Sequence, residues 1–191
     1  MKELQRNTKE TQITASLEIY GSGKNDITTG IGFFTHMLEA FSKHALFDLH
    51  LVCNGDLEVD YHHSVEDCGI VIGSLLKQSI YPIEGIERFG NGAVVMDEAC
   101  VECDIDVSNR AFLVFDMGDF GGKIGNFDVE LVEEWFRAVC FNANLSVHVY
   151  AKRGKNLHHL TEAAFKAFGL ALRRALTKNP RVLIPSTKGC L

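Results

Sequence analysis

The chain has 191 residues, 46% of them apolar and 23% charged, a balance that excludes disordered and fibrous classes. Its net charge of -6 argues against a partner held by phosphate neutralisation, so no nucleic acid is expected. No apolar run is long enough to span a membrane, and the first twenty residues mix both charges where a secretory signal would be apolar. The six cysteines then read as reduced thiols in a cytoplasmic protein.

In chain order, ITASLEIY reads as a strand. THMLEAFSKHALFDLHLVC reads as a helix followed by strand alternation at Phe47, Leu49 and Leu51. HHSVEDCGIVIGSLLKQSI gives a second helix, with Val65, Ile72, Leu75, Leu76 and Ile80 at helical spacing. A Gly-containing stretch without regular period, Glu84–Asn91, follows. AVVMDEA, VECDIDV and AFLVF are strand-like. Cys100 and Cys103 form a CxxC pair inside one of these strands and lack the second pair that a zinc knuckle needs. The stretch Gly118–Asn126 contains four glycines and reads as a flexible connection. VEEWFRAVCFNANLSVHVY then repeats the helix-and-strand pattern, with alternation at Leu145, Val147 and Val149. HHLTEAAFKAFGLALRRAL is a last long helix.

This order is an internal duplication. His62-His63-Ser64-Val65-Glu66 recurs as His158-His159-Leu160-Thr161-Glu162, 96 residues later. Each copy opens a helix, and the segments before each copy also match. The expected architecture is α+β, with two similar halves, each a mixed or antiparallel sheet with two helices on one face. The halves divide as residues 1–86 and 87–191 within one compact unit, and they would bury their helices against each other or on a neighbouring subunit.

Four of the eight histidines fall in the two HHxxE segments. On a helix, His62 and Glu66 share a face, as do His158 and Glu162. The adjacent His63 and His159 point about 100° away. One copy therefore cannot fill a coordination sphere. Two facing copies could, with His62, Glu66 and His159 at one metal and His158, Glu162 and His63 at the other. Nitrogen and oxygen ligands with open positions suit Mn, Fe or Zn better than Ca or Mg. His36 and its counterpart in the repeat, Glu134, are candidate fourth ligands. His44, His50 and His148 carry no assigned chemistry.

These residues resemble the imidazoleglycerol-phosphate dehydratase family, the lyases of histidine biosynthesis, over essentially the full length. The matching stretches are RNTKET (6–11), TGIGFFTHML (29–38), FDLHLVCNGDLEVDYHHSVEDCGIVIG (47–73), GIERFG (85–90), MDEA (96–99), DVSNR (106–110), GKNLHHLTEAAFKAFGLALRRA (154–175) and PSTKG (185–189). The resemblance implies conversion of erythro-imidazoleglycerol phosphate to imidazole-acetol phosphate and water. It implies a shell of 24 subunits with paired manganese sites built from neighbouring chains. By position, His36, His63, His158 and Glu162 would hold one metal, and His62, Glu66 and His159 the other.

The resemblance also makes Glu10 an acid/base group, beside Glu66 and Glu162 as candidate catalytic carboxylates. Arg88, Arg110, Ser186 and Lys188 match the family's phosphate contacts. Two positions depart from the family pattern: Glu134 stands where many members carry a His ligand, and Thr35 stands where Asp is usual before His36. Two other readings of the same His/Glu sites are a binuclear hydrolase using a bridging hydroxide and a non-enzymatic protein assembled by metal. The basic and hydroxyl set favours an enzyme with a small phosphorylated substrate.

Overall fold

The computed structural model describes residues 1–188. Cys190, read above as a thiol, and the last residue of PSTKG lie outside them. The first half runs β1 (Lys2–Asn7), β2 (Thr11–Glu18), β3 (Asn25–Thr28), α1 (Gly32–Ala45), β4 (Asp48–Gly55) and α2 (His62–Ile80). The second runs β5 (Phe89–Met96), β6 (Ala99–Asp106), β7 (Phe112–Asp116), β8 (Lys123–Ile124), β9 (Phe127–Asp128), α3 (Glu130–Ala143), β10 (Ser146–Arg153) and α4 (Leu157–Ala175). The two four-stranded sheets have the same order, β1-β2-β4-β3 and β5-β6-β10-β7. In each, the first pairings are antiparallel and the last is parallel, closed by a helical crossover through α1 or α3. The duplication is thus a duplication of topology.

Strand alternation sets which face is covered. Ile13, Ala15 and Leu17 of β2 point inward, as do Val101, Cys103 and Ile105 of β6. Cys100 and Cys103 lie three residues apart and so point to opposite faces of β6, which rules out joint metal binding by this pair. The helices of both halves fill the space between the sheets and pack across the halves, α1 on α4 and α2 on α3. Trp135 of α3 stacks on Phe165 of α4 with ring centroids 4.4 Å apart, and Phe41 of α1 lies 5.5 Å from Phe168 of α4. One apolar cluster therefore runs through both halves.

Two glycines 96 residues apart let the helices close. A Cβ on Gly73 would sit 2.6 Å from the Val139 carbonyl oxygen on α3. One on Gly169 would sit 2.7 Å from the Phe41 carbonyl oxygen on α1.

The halves also end their short helices alike, with Leu46 at φ 57° after α1 and Asn144 at φ 53° after α3. Asn tolerates this left-handed conformation, whereas a leucine does so at a cost of about 1 kcal/mol. Leu46→Asn should therefore raise stability by roughly 0.5–1 kcal/mol, about 1–4 °C in melting temperature. A scan of apo wild type and variant decides it, and an unchanged or lower midpoint would show that the side chain's packing outweighs the strain.

Two sequence readings need correction. Gly118–Asn126 is not simply a flexible connection: β8 and β9 form a small hairpin there, pairing Ile124 with Phe127. Phe127 is buried against Phe33 and Phe34, with ring centroids 5.2 and 6.4 Å away. The aperiodic stretch at Glu84–Asn91 is the approach to β5, which begins at Phe89. No helix among the described residues is long and apolar enough to cross a membrane.

Candidate metal centre and phosphate cavity

His36 is the fifth residue of α1, on a face that meets the first turns of α4. There the Glu162 carboxylate, only 6% exposed, turns Oε2 towards two imidazoles. It lies 3.1 Å from His158 Nε2 and 3.3 Å from His36 Nε2. The donor atoms of these three residues all fall within 4.8 Å of one another, the one group of three or more His, Cys, Asp or Glu side chains among the described residues that does so. Burial pushes the Glu162 carboxyl up. The Lys166 ammonium, 2.7 Å from Oε1, and His36 outweigh it and hold the group below its usual value. A buried anionic oxygen facing two imidazole nitrogens, with solvent on one side, fits a divalent transition metal.

The second helix pair places its residues equivalently. Glu134 is the fifth residue of α3, and α3 packs on α2, which opens with His62. His62 Nε2 lies 4.0 Å from Glu66 Oε2, with both side chains about half exposed. Glu134 faces Arg137, 3.7 Å away, rather than these two groups. Thr35 bonds the Thr29 hydroxyl at 2.8 Å, so it does not orient His36.

Within each HH pair the rings are nearly perpendicular, at 83° for His62–His63 and 82° for His158–His159. The pairing of α1 with α4 and α2 with α3 keeps the two HHxxE helices from facing each other. One chain therefore gathers His36, His158 and Glu162 but brings neither His63 to that group nor His159 to His62 and Glu66.

His63 and His159 instead meet carboxylates that the sequence reading missed. His63 Nδ1 lies 3.0 Å from Asp56 Oδ2, and His159 Nδ1 lies 2.8 Å from Glu98 Oε2. These bonds raise the pKa of both imidazoles. The His159 bond, with the backbone N–H groups of Asn156 and Lys155, pulls Glu98 down to about 2.

Glu10 lies at the β1–β2 turn, where the Thr8 hydroxyl accepts from the backbone N–H groups of Glu10 and Thr11. Its Oε1 is 3.8 Å from His63 Nε2. The turn is tied to α2 by the near-buried Asp67, which accepts from Arg6 Nε at 2.9 Å and from the Thr11 hydroxyl. Only topology brings these groups together, apart from the Glu10 motif.

Arg88, Arg110, Ser186 and Lys188 do converge. Together with Ser108, Asn109 and Thr187 they line a cavity of about 470 Å³. The Arg88 guanidinium grips Asp106 through Nε and Nη2, at 2.7 and 3.1 Å, and donates to the Pro185 carbonyl at 2.7 Å. Arg110 is mostly exposed, and its nearest carboxylate oxygen, on Asp106, is 3.8 Å away.

Fold and site together define an internally duplicated α+β protein with an imidazole–carboxylate set of metal-binding chemistry and a separate cationic, hydroxyl-lined cavity. Residues 29–172 match the family described as imidazoleglycerol-phosphate dehydratase (IGPD). A protein of that name from Wolinella succinogenes is 67% identical over all of both chains. Another from Helicobacter hepaticus is 65% identical, covering 99% of this chain and 95% of its own. The crystal structure of the Staphylococcus aureus imidazoleglycerol-phosphate dehydratase superposes with a TM-score of 0.84 at 41% identity, over 93% of this chain and 98% of that one. That of IGPD from Pyrococcus furiosus gives 0.85 at 35%, over 98% of this chain and all of that one. The chain belongs to the imidazoleglycerol-phosphate dehydratase family.

Proposed function

We propose that this chain is a hydro-lyase that dehydrates erythro-imidazoleglycerol phosphate to imidazole-acetol phosphate in histidine biosynthesis, at sites that neighbouring subunits complete. One observation carries the shared-site reading: within a chain the imidazole cluster and the phosphate cavity sit at opposite ends of the same helices. The Arg88 N–H bonds the Ala175 carbonyl at the C-terminal end of α4, 17 residues beyond His158. At 1.5 Å per residue that is about 25 Å. Asn109 on the cavity wall is likewise held by the Tyr81 hydroxyl, just past the far end of α2 from His62. The substrate is only about 10 Å long when extended. That separation supports a reading in which its phosphate and its imidazole meet different chains.

The roles follow from the donors. His36, His158 and Glu162 hold one divalent metal, completed by His63 of another copy. His62 and Glu66 with His159 of another copy hold the second, with Glu134, turned towards Arg137 in the single chain, as the candidate fourth ligand. We take the metal to be manganese. When bound, it supplies Lewis acidity that lowers the proton affinity of the substrate's imidazole. The hydroxyl on the carbon beside the ring leaves as water, the next carbon loses its proton, and the enol tautomerises to the ketone. Glu10, solvent-accessible and carried on an anchored turn, is placed to move that proton. Arg110, Ser186 and Lys188 bind the phosphate, while Arg88 supports the cavity through Asp106 and Pro185. The particle is a closed homo-oligomer, 24 subunits by family resemblance.

The test is complementation. His158→Ala and Arg110→Ala proteins, each of low activity, are mixed, dissociated with chelator and reassembled with Mn. Shared sites predict that hybrids regain activity that neither parent shows, and ultracentrifugation should show the particle shrinking in chelator. Hybrids no more active than their parents would place the whole site in one chain.

A further inference from the structure

We propose that Asp56 and Glu98 are positioning residues that fix the tautomer and ring orientation of His63 and His159, so that each presents Nε2 to a metal; this rests on the metal reading above. An ionised carboxylate can only accept. An imidazole whose Nδ1 lies 3.0 or 2.8 Å from one must therefore carry its proton on Nδ1, leaving the Nε2 lone pair for a ligand.

The Glu98 carboxylate is itself held, and so is the backbone that carries Asp56. Glu98 Oε1 accepts from the N–H groups of Asn156 and Lys155, at 2.8 and 3.2 Å. The Asp56 N–H donates to the Glu10 carbonyl at 3.1 Å, and its own carbonyl accepts from Val59 at 2.9 Å. The first histidine of each pair lacks this arrangement. Among the described residues no carboxylate bonds Nδ1 of His62 or His158, and the one nearest Nδ1 of His36 is Glu39 at 4.0 Å.

The two devices are not copies of one ancestral contact. Asp56 comes from the loop between β4 and α2, six residues before His62. Glu98 comes from the β5–β6 turn, the counterpart of the turn that carries Glu10. Two halves of one duplication thus reach the same Nδ1 contact with different residues from different loops. A chance surface ion pair has no reason to recur in this way. The demand falls on the second histidine because it serves a site its own helix does not build, so no neighbouring ligand in its chain orients it. Glu10 and Asp97 lie 3.8 and 3.7 Å from the two Nε2 atoms, on the side left open to a cation.

The experiment uses full-length protein stripped with chelator and titrated with Mn, free Mn being read by electron paramagnetic resonance. Asp56→Asn and Glu98→Gln should each weaken Mn binding by about 10- to 100-fold. Melting temperature in chelator should move little for Glu98→Gln, whose side chain is 44% exposed, and more for Asp56→Asn, whose side chain is 19% exposed. His63→Ala is the control, and it should lose binding at its site. Wild-type affinity in both carboxylate variants beside a weakened His63→Ala would overturn the positioning role and leave the metal reading standing. Wild-type affinity in His63→Ala as well would overturn the metal reading itself. If Asp56→Asn fails to fold, the half-exposed Glu98→Gln alone decides the proposal.

Discussion

His158→Ala is expected to abolish turnover while leaving the fold intact. The ring is 43% exposed, and its aromatic neighbours beyond His159 are the rings of Phe33 and His36, 5.2 and 6.2 Å away, not the fully buried aromatics. The start of α4 is capped by the Asn156 side chain, which accepts from the backbone N–H groups of His158 and His159 and survives truncation of the ring. What is lost is one of the three convergent groups His36, His158 and Glu162. A loss of at least about a thousandfold in kcat, some 4 kcal/mol of transition-state stabilisation, is expected, with bound Mn falling in parallel.

Glu162→Gln makes a useful contrast. It removes a nearly buried charge that pairs with Lys166 and faces two imidazoles, so it should cost both metal and stability. Absorbance assays of imidazole-acetol phosphate, metal analysis and melting curves on the same preparations separate the two effects. A His158→Ala enzyme with near-normal turnover would remove the α1–α4 cluster from the mechanism.

The sequence shows this cluster only in fragments. HHxxE is legible because helical spacing puts His and Glu on one face and the duplication repeats it. His36 is legible as the residue that the repeat aligns with Glu134. Which helix meets which is not legible, because every helix offers an apolar face, and the choice of α1 for α4 depends on small contacts such as Gly169 against Phe41. The central strands β2, β4, β6 and β10 announce themselves by alternation.

The edge strands of the first sheet do not. The β1 strand, KELQRN, has one apolar residue and stays largely exposed, and β3 has four residues with Ile27 alone buried. The β8–β9 hairpin is hidden among glycines, with Ile124 and Phe127 its only apolar residues. Asp56 and Glu98 are invisible for a related reason, since a carboxylate in a turn looks solvated until the fold puts an imidazole beside it.

Arg110→Ala should weaken substrate binding without emptying the metal sites, because its cavity lies at the far end of α4 from Glu162. Losing one charge-assisted contact to phosphate should cost about 2–4 kcal/mol, roughly 30- to 1000-fold in kcat/KM. Arg110→Lys should recover only part of this, since ammonium keeps the charge and loses the planar fork. The rival account is that Arg110 is there to pair with Asp106. The geometry weakens that account: Asp106 is already gripped by Arg88 at 2.7 and 3.1 Å, whereas Arg110 stands 3.8 Å off with its side chain 65% exposed. An ion pair so open contributes little to stability. Arg88→Ala, by contrast, leaves Asp106 and the Pro185 carbonyl without their donor, so it should lower the melting temperature and loosen the segment that carries Ser186. Inorganic phosphate should compete with substrate in wild type and less in Arg110→Ala. An Arg110→Ala enzyme that melts earlier yet keeps its KM and its phosphate inhibition would sink the phosphate role and leave the pairing with Asp106 as this residue's function.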